Sequence, residues 1–187
     1  MEVLYDVPLY SQHWDLDEWK KLGYKSWQDA EYWQRSCCGI LCINEIATFL
    51  NNKSYSTPDL IKQGQDLDGY SEEYGWKHDG LVRLAEQLAL KAERRPMTMG
   101  DLKKALDEKK LPIASIKWAF KNTKSIKEKL LFWKKYGGHL AVVVGYNSEG
   151  FYVNHTSKIL EQNWKASLIP YEKFDSSYTG RAILVWK

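Results

Sequence analysis

The chain has few cysteines, and their placement excludes the roles that cysteine most often has in small proteins. Cys37, Cys38 and Cys42 are the three cysteines among 187 residues, and all lie in one short segment. An odd number of crowded thiols does not form a disulfide framework. No second Cys or His pair at zinc-like spacing follows, so no metal site is expected. No cofactor is expected either.

Long apolar runs and a strong charge of either sign are also missing. No stretch reaches about 18 apolar residues, so no membrane span is predicted. The 27 basic and 24 acidic residues leave a net charge of +3 without a long basic run, which argues against a nucleic-acid partner. Residues 1–11 lack a basic region followed by an apolar run, so no signal peptide is predicted. We therefore expect a cytoplasmic protein or a mature or excised domain.

The order of helical and strand-like patterns indicates the fold class. Apolar periodicity predicts helices in the first two thirds of the chain, among them one over residues 80–93 and a basic one over residues 123–136. Strand-like runs dominate afterwards, with a hairpin around residues 147–150 and a last strand over residues 181–186. Helices followed by strands are typical of an α+β fold with an antiparallel sheet, here a single domain over residues 1–187.

The segment CCGILCINEIATFLN, from Cys37 to Asn51, predicts a central helix that buries one face. Ser36 is the predicted N-cap, which places Cys37 or Cys38 in the first turn. The positive end of the helix dipole favours a thiolate there, and a thiolate is a nucleophile. The alternative is that these cysteines are small core residues.

A nucleophilic thiol needs a base, and His139 is the best placed of the four histidines. It follows two glycines and begins the most apolar strand in the chain, where a base is held rigidly beside a facing helix. The returning strand ends at Asn154 and His155, and Asn154 is the candidate that orients the ring of His139. The alternative is that both residues merely terminate their strands. The backbone N–H of the nucleophile and a side-chain amide would stabilise the oxyanion, and spacing alone selects none of the upstream glutamines.

These pieces together resemble the papain-like cysteine peptidases, specifically the bacterial, bacteriocin-processing type, cysteine peptidase family thirty-nine and its "like" group. The matching stretches are VPLYSQ, CCGILC, GLVRLAEQLALKAE, GGHLAVVVGYNSEGFYVNH and RAILVW. The resemblance implies a papain-like α+β fold in which a Cys-bearing helix packs on the C-terminal sheet. It also implies that Cys38 is the nucleophile, His139 is the base and Gln12 helps to bind the oxyanion, with Gln34 as second choice for that role.

The sequence departs from the family at the third catalytic residue. The family commonly has aspartate at the end of the returning strand, and the register of that match points to His155. Papain-like enzymes use asparagine for this role, so we predict Asn154, provided that a shift of one residue or a bulge turns it inward. The tryptophans between residues 13 and 36, Trp33 among them, are predicted to form a wall of the cleft, with Trp33 and Gln34 contacting substrate. Residues 120–136 resemble an insertion beside the hairpin.

The predicted function is that of a cysteine peptidase, which cleaves peptide bonds through a thioacyl intermediate on Cys38. Its expected partner is a peptide or protein substrate. Two alternatives stay open at this point. One is a catalytically inactive module that binds peptides in the same cleft, and the other is an acyltransferase or deamidase on the same fold.

Overall fold

The computed structural model describes residues 2–117, 120 and 138–187, and it confirms an α+β fold with a large antiparallel sheet. Within these residues the helices are α1 (Trp19–Leu22), α2 (Trp27–Ser36), α3 (Cys38–Asn51), α4 (Thr57–Asp66), α5 (His78–Gln87), α6 (Met99–Asp107) and α7 (Tyr171–Ser177). The strands are β1 (Val3–Leu4), β2 (Tyr70–Ser71), β3 (Gly75–Trp76), β4 (Lys91–Pro96), β5 (Leu111–Ile116), β6 (His139–Tyr146), β7 (Gly150–His155), β8 (Trp164–Pro170) and β9 (Tyr178–Trp186).

The large sheet places β6 in its interior. Its strand order is β4–β9–β5–β6–β7–β8, and each pairing is antiparallel. β1 pairs with the far end of β6, where Val3 lies opposite Tyr146. Gly145 permits this close approach, because a Cβ at that position would lie 2.1 Å from the carbonyl oxygen of Val3. Neighbours on both sides therefore fix the position of β6, and with it the position of His139 at its start.

Helix α3 packs directly on β6. Every residue from Gly39 to Ala47 is buried, because α3 lies between β6 on one side and α4 and α5 on others. A Cβ on Gly39 would lie 2.9 Å from Leu81 and 3.2 Å from Leu140, so the absence of a side chain lets the first turn of α3 rest against the start of β6. The cap differs from the prediction, since Cys37 rather than Ser36 occupies the N-cap position.

Several predicted element boundaries are confirmed, and one predicted helix extends further than the helix in the structure. Ser26 and Thr98 cap α2 and α6 as predicted, and the hairpin of β6 and β7 turns at residues 147–150. The helix predicted over residues 80–93 ends at Gln87, and residues 91–96 form strand β4 instead. Most of β4 is exposed at the edge of the sheet, so it lacks the apolar alternation by which a strand is recognised.

Two other regions complete the comparison with the sequence. The predicted polar loop over residues 66–78 contains the small hairpin of β2 and β3, and strand β8 was not predicted. The helix predicted over residues 123–136 lies outside the described residues. In the part of the chain that is described, no helix has the length and apolarity needed to cross a membrane.

Candidate active site

Cys38 is the first residue of α3, and it differs from its two neighbours in exposure. Cys37 and Cys42 are fully buried, whereas Cys38 is partly exposed. The backbone N–H groups of Leu140 and Gly39 act on the Cys38 thiol and favour its charged form. The contact with Leu140 places the thiol at the start of β6, next in sequence to His139. The structure therefore brings the predicted nucleophile to the strand that carries the predicted base.

The Cys38 thiol is uncharged at rest, contrary to the expectation from the helix dipole. Burial raises the pKa of Cys38 above its usual value, and the N–H groups of Leu140 and Gly39 lower it by less. The loss of water around the thiol disfavours the thiolate more than the N–H groups at the start of α3 favour it. A base must therefore take the proton when Cys38 reacts.

His139 is also uncharged at rest. Burial lowers the pKa of His139 to about 3, with a further lowering from His155, while the backbone carbonyl of Thr156 acts in the opposite direction. The Nε2 atom of His139 is shielded from solvent and has no hydrogen-bond partner among the residues that the structure describes. A neutral imidazole is able to accept a proton, so its protonation state suits a base.

His155 is the residue of β7 that faces His139. The two ring centroids lie 4.7 Å apart, with the rings tilted by 49°. The Nδ1–H of His155 donates to the carbonyl oxygen of Gln162 at 2.6 Å, and the ring packs against Trp164 at 5.0 Å. His155 is buried, so its position is fixed by these contacts.

Asn154 is not brought to His139. Its side chain hydrogen-bonds groups on the other side of β7: the carbonyls of Val7 and Pro8 at 3.2 and 3.1 Å, Oε2 of Glu45 at 3.4 Å and, as acceptor, the N–H of Ala166 at 2.8 Å. Successive residues of a strand point to opposite faces, and the bulge between Val153 and His155 does not reverse this. The prediction that Asn154 orients His139 therefore lacks the contact that it requires.

Glu45 is a polar residue in this region that the sequence analysis missed. It lies in the middle of α3, is fully buried, and accepts the N–H of Tyr10 at 3.0 Å on Oε1. Burial raises its pKa to about 8 from the usual 4.5, while the contacts with Tyr10 and Asn154 lower it by less. A signal was present, because this glutamate is the one charged residue of the helical segment from Cys38 to Asn51. We call Glu45 and Asn154, with the segment from Val7 to Tyr10 that they bind, the clamp.

Gln12 follows the clamp and is buried beside the nucleophile segment. Its Nε2 donates to the carbonyl of Gln34 at 3.1 Å, and its Oε1 accepts the hydroxyl of Thr156 at 3.1 Å. Gln12 also hydrogen-bonds the thiol of Cys37, which lowers the pKa of that thiol. Burial has the larger effect and keeps the pKa of Cys37 well above its usual value. Gln12 thus contacts the residue before Cys38 and the residue after His155. Thr156 is a second residue that the sequence analysis did not select.

The two predicted substrate-binding residues are less accessible than expected. Trp33 is 4% exposed; its indole N–H donates to Asp29, and its ring packs against Tyr32, Tyr70 and Trp76. Gln34 is partly exposed, and its side-chain amide donates to the carbonyl of Trp14 at 2.6 Å. Both side chains therefore make contacts within the protein, and their role as substrate-binding residues stays a prediction.

The described residues offer no arrangement of three or more His, Cys, Asp or Glu side chains that suits a metal ion. The chemistry that they do offer is that of a thiol held at the start of the strand that begins with a neutral imidazole. Such a pair forms a covalent bond to an acyl carbon when the imidazole accepts the thiol proton.

Comparisons with known proteins agree with the observed fold. The chain superposes on a C39-like peptidase from Bacillus anthracis with a TM-score of 0.66 and 17% identity, over 100% of this chain and 98% of the other. It superposes on a double glycine motif protease from an AMS/PCAT transporter, solved with its leader peptide, with a TM-score of 0.58 and 15% identity, over 99% and 95% of the two chains. The peptidase domain of Streptococcus ComA, a bi-functional ABC transporter of a quorum-sensing pathway, gives a TM-score of 0.57 and 19% identity, over 80% and 90%.

At these identities the superpositions establish the fold. The search of curated proteins returned no match. The family model, in contrast, matches residues 33–187, which is most of the chain and includes both Cys38 and His139. This protein therefore belongs to the Peptidase C39 family.

Proposed function

We propose that this protein is a cysteine peptidase that hydrolyses peptide bonds, with Cys38 as nucleophile and His139 as base. The observation that carries the proposal is the contact between the Cys38 thiol and the N–H of Leu140. It links the start of α3 to the start of β6, which is where a thiol and an imidazole must meet for acyl transfer. Membership of the Peptidase C39 family supports a cysteine-peptidase type of function.

The neutral resting pair defines the order of the steps. The Cys38 proton passes to His139 as the sulfur bonds to the peptide carbonyl carbon, and the carbonyl oxygen becomes an oxyanion. When the oxyanion collapses, the C–N bond breaks and the leaving amine takes the proton from His139. Water then attacks the thioester, gives a proton to His139, and releases a carboxylic acid as the proton returns to sulfur.

The oxyanion is held by the backbone N–H of Cys38 and the amide of Gln12. The first N–H groups of a helix have no partner within the helix, so the N–H of Cys38 is suited to this role. The Nε2 of Gln12 donates to Gln34 and Cys37 in the resting structure. To bind the oxyanion, the amide must give up one of these two hydrogen bonds during the reaction and donate to the oxyanion instead.

A peptide is the proposed substrate. A structural neighbour was solved in complex with a leader peptide, and this chain covers 95% of that neighbour. A second candidate is a module of the same fold that binds peptides without cleaving them. One observation favours it: the Nε2 atom of His139 is buried and has no hydrogen-bond partner among the described residues.

Peptide digestion with defined variants separates these two functions. We would incubate the protein with a mixture of unstructured peptides and follow the products by mass spectrometry, with Cys38→Ala, His139→Ala and the buried Cys42→Ala as matched controls. We expect cleavage with the wild type and Cys42→Ala, and a loss of about a thousandfold or more in the other two. Cleavage that persists in Cys38→Ala would refute the proposal. Saturable binding without cleavage would establish the binding module.

A further inference from the structure

The hydroxyl of Thr156 is a buried polar group that no step of the proposed reaction uses. Thr156 has no exposed surface, and its hydroxyl donates to Oε1 of Gln12 at 3.1 Å. Gln12 is 4% exposed, so the bond between the two side chains is shielded from water. A buried bond of this kind is costly to leave unmade. It joins the residue after β7 to the segment before α1, 144 positions apart in the chain.

The partners of Gln12 determine which end of its amide faces which neighbour. The carbonyl of Gln34 only accepts hydrogen bonds, and Nε2 of Gln12 donates to it at 3.1 Å. A flipped amide would place Oε1 against this carbonyl, so that two acceptors faced each other. The hydroxyl of Thr156 donates to the other end of the amide. Both contacts therefore favour one orientation, in which Nε2 is the end near Gln34 and Cys37.

The two ends of the amide differ in what the reaction requires of them. Nε2 must leave Gln34 or Cys37 to donate to the oxyanion, whereas Oε1 has no new partner to find. The bond from Thr156 to Oε1 is therefore able to persist while Nε2 changes partner. A donor on Oε1 also polarises the amide, which strengthens Nε2 as a donor.

We propose that Thr156 is a positioning residue for Gln12: its hydroxyl holds Oε1 in place, so that Nε2 is the end of the amide that turns to the oxyanion. The role rests on the proposed function, in which Gln12 helps to bind the oxyanion. Thr156 acts through Gln12 alone in this role. Loss of the Thr156 hydroxyl should therefore have no further effect on kcat once the Gln12 amide is absent.

Cleavage kinetics of a set of variants test this role. Thr156→Val removes the hydroxyl and keeps the shape of the side chain, and Thr156→Ser keeps the hydroxyl. We expect Thr156→Val to lower kcat by about tenfold with little change in KM, and Thr156→Ser to recover most of that loss. The double variant of Gln12→Ala with Thr156→Val should match Gln12→Ala within about twofold. Ser157→Ala is the matched control, because this neighbouring hydroxyl contacts Gln162 and the N–H of Ile159 instead.

Three kinetic results would overturn the role. A further tenfold loss in the double variant relative to Gln12→Ala would show that the two residues act independently. Equal losses of kcat in Thr156→Ser and Thr156→Val would show that the hydroxyl is not the group responsible. An unchanged kcat in folded Thr156→Val would show that Gln12 needs no support from it.

A second readout needs no peptide cleavage. NMR relaxation of the side-chain nitrogen of Gln12, whose signal is assigned by its absence in Gln12→Ala, reports how mobile the amide is. We expect a rigid amide in the wild type and Thr156→Ser and a mobile one in Thr156→Val; equal mobility in all three would overturn the role. The expected pattern in a protein that cleaves no peptide would refute the peptidase and leave the positioning of Gln12 intact. If circular dichroism shows that Thr156→Val is unfolded, the wild type decides: a rigid amide supports the role and a mobile one overturns it.

Discussion

Asn154 and His155 are neighbours on β7, yet they belong to two different regions of the molecule. Asn154 faces the clamp, where its amide joins α3, β8 and the segment from Val7 to Tyr10. His155 faces the base, where its ring packs on that of His139. The clamp is a network of directed hydrogen bonds, whereas His155 meets His139 through its ring, beside the Thr156 carbonyl that also acts on His139.

The difference shows how one strand serves both stability and chemistry. The clamp holds the segment that ends at Gln12, and Gln12 reaches both Cys37 and Thr156. On the other side, His155 adds to the effect of burial in lowering the pKa of His139. Substitutions at the two positions should therefore change different measurable properties, and the predictions below test whether the two sides separate in this way.

Asn154→Leu should give the largest loss of stability. The substitution removes an amide that makes four hydrogen bonds in or near the buried region, and leucine replaces none of them. The partners are the N–H of Ala166, the carbonyls of Val7 and Pro8, and the carboxyl group of Glu45. We expect the free energy of unfolding to fall by about 3 kcal/mol or more, as measured by urea denaturation. His155→Phe is the control on the opposite face, because it retains the packed ring. An equally large loss of unfolding free energy in His155→Phe would mean that the clamp contributes no more to stability than the opposite face of β7.

Gln12→Ala should give the next largest effect, on catalysis rather than on stability. Loss of one oxyanion donor lowers kcat by about a hundredfold with little change in KM. The measurement is steady-state cleavage of the best peptide from the substrate screen, with Gln34→Ala as control because its side chain contacts the Trp14 carbonyl instead. Equal losses of kcat in the two variants would assign Gln12 a purely structural role.

The general architecture of the site was predictable because it depends on strong local signals. The apolar periodicity after Cys37 indicated α3, and two glycines before an apolar run indicated that β6 begins near His139. The glycine at position 39 was part of the same motif, and it is the residue that permits the close approach of α3 to Leu140. Sequence patterns of this kind report which residues are buried and where an element begins.

The direction of each polar side chain was not predictable, because it depends on tertiary contacts. A shift of one residue in register exchanges the faces of Asn154 and His155, and the sequence contains no turn or bulge signal that decides between them. The protonation of Cys38 depends on how deeply the first turn of α3 is buried, which outweighs the helix dipole. The partners of Glu45 are distant in sequence, from Tyr10 to Asn154, so only the folded chain shows them.

The clamp should make stability depend on pH in a way that Glu45→Gln removes. Burial raises the pKa of Glu45 from 4.5 to about 8, and its neighbours are the amide of Asn154, the N–H of Tyr10 and, on α3 itself, Cys42. Between these pH values the native chain holds a proton that the unfolded chain has released. The free energy of unfolding therefore falls as pH rises through this window, by at most about 1.4 kcal/mol per pH unit.

Glu45→Gln keeps an acceptor for Tyr10 and carries no titrating charge, so it should flatten this dependence. Urea denaturation at pH 5, 6, 7 and 8 measures it, with the exposed Glu86→Gln as the control for removing a surface carboxylate. Parallel slopes for the wild type and Glu45→Gln would show that Glu45 is already ionised in the native clamp. The His155 side should be unaffected, so the rate of Cys38 alkylation by iodoacetamide should have the same pH profile as in the wild type.

Asp6→Asn should have the smallest effect, although Asp6 also ties the N-terminal segment to β8. Its carboxylate lies 2.7 Å from Nζ of Lys165, but the two side chains are 89% and 52% exposed. An exposed pair of this kind is screened by water and salt, so we expect the free energy of unfolding to stay within about 0.5 kcal/mol of wild type, and kcat to be unchanged. Urea denaturation at low and at high salt tests this. A loss comparable to that of Asn154→Leu would show that the surface ion pair, rather than the buried clamp, holds the segment that positions Gln12.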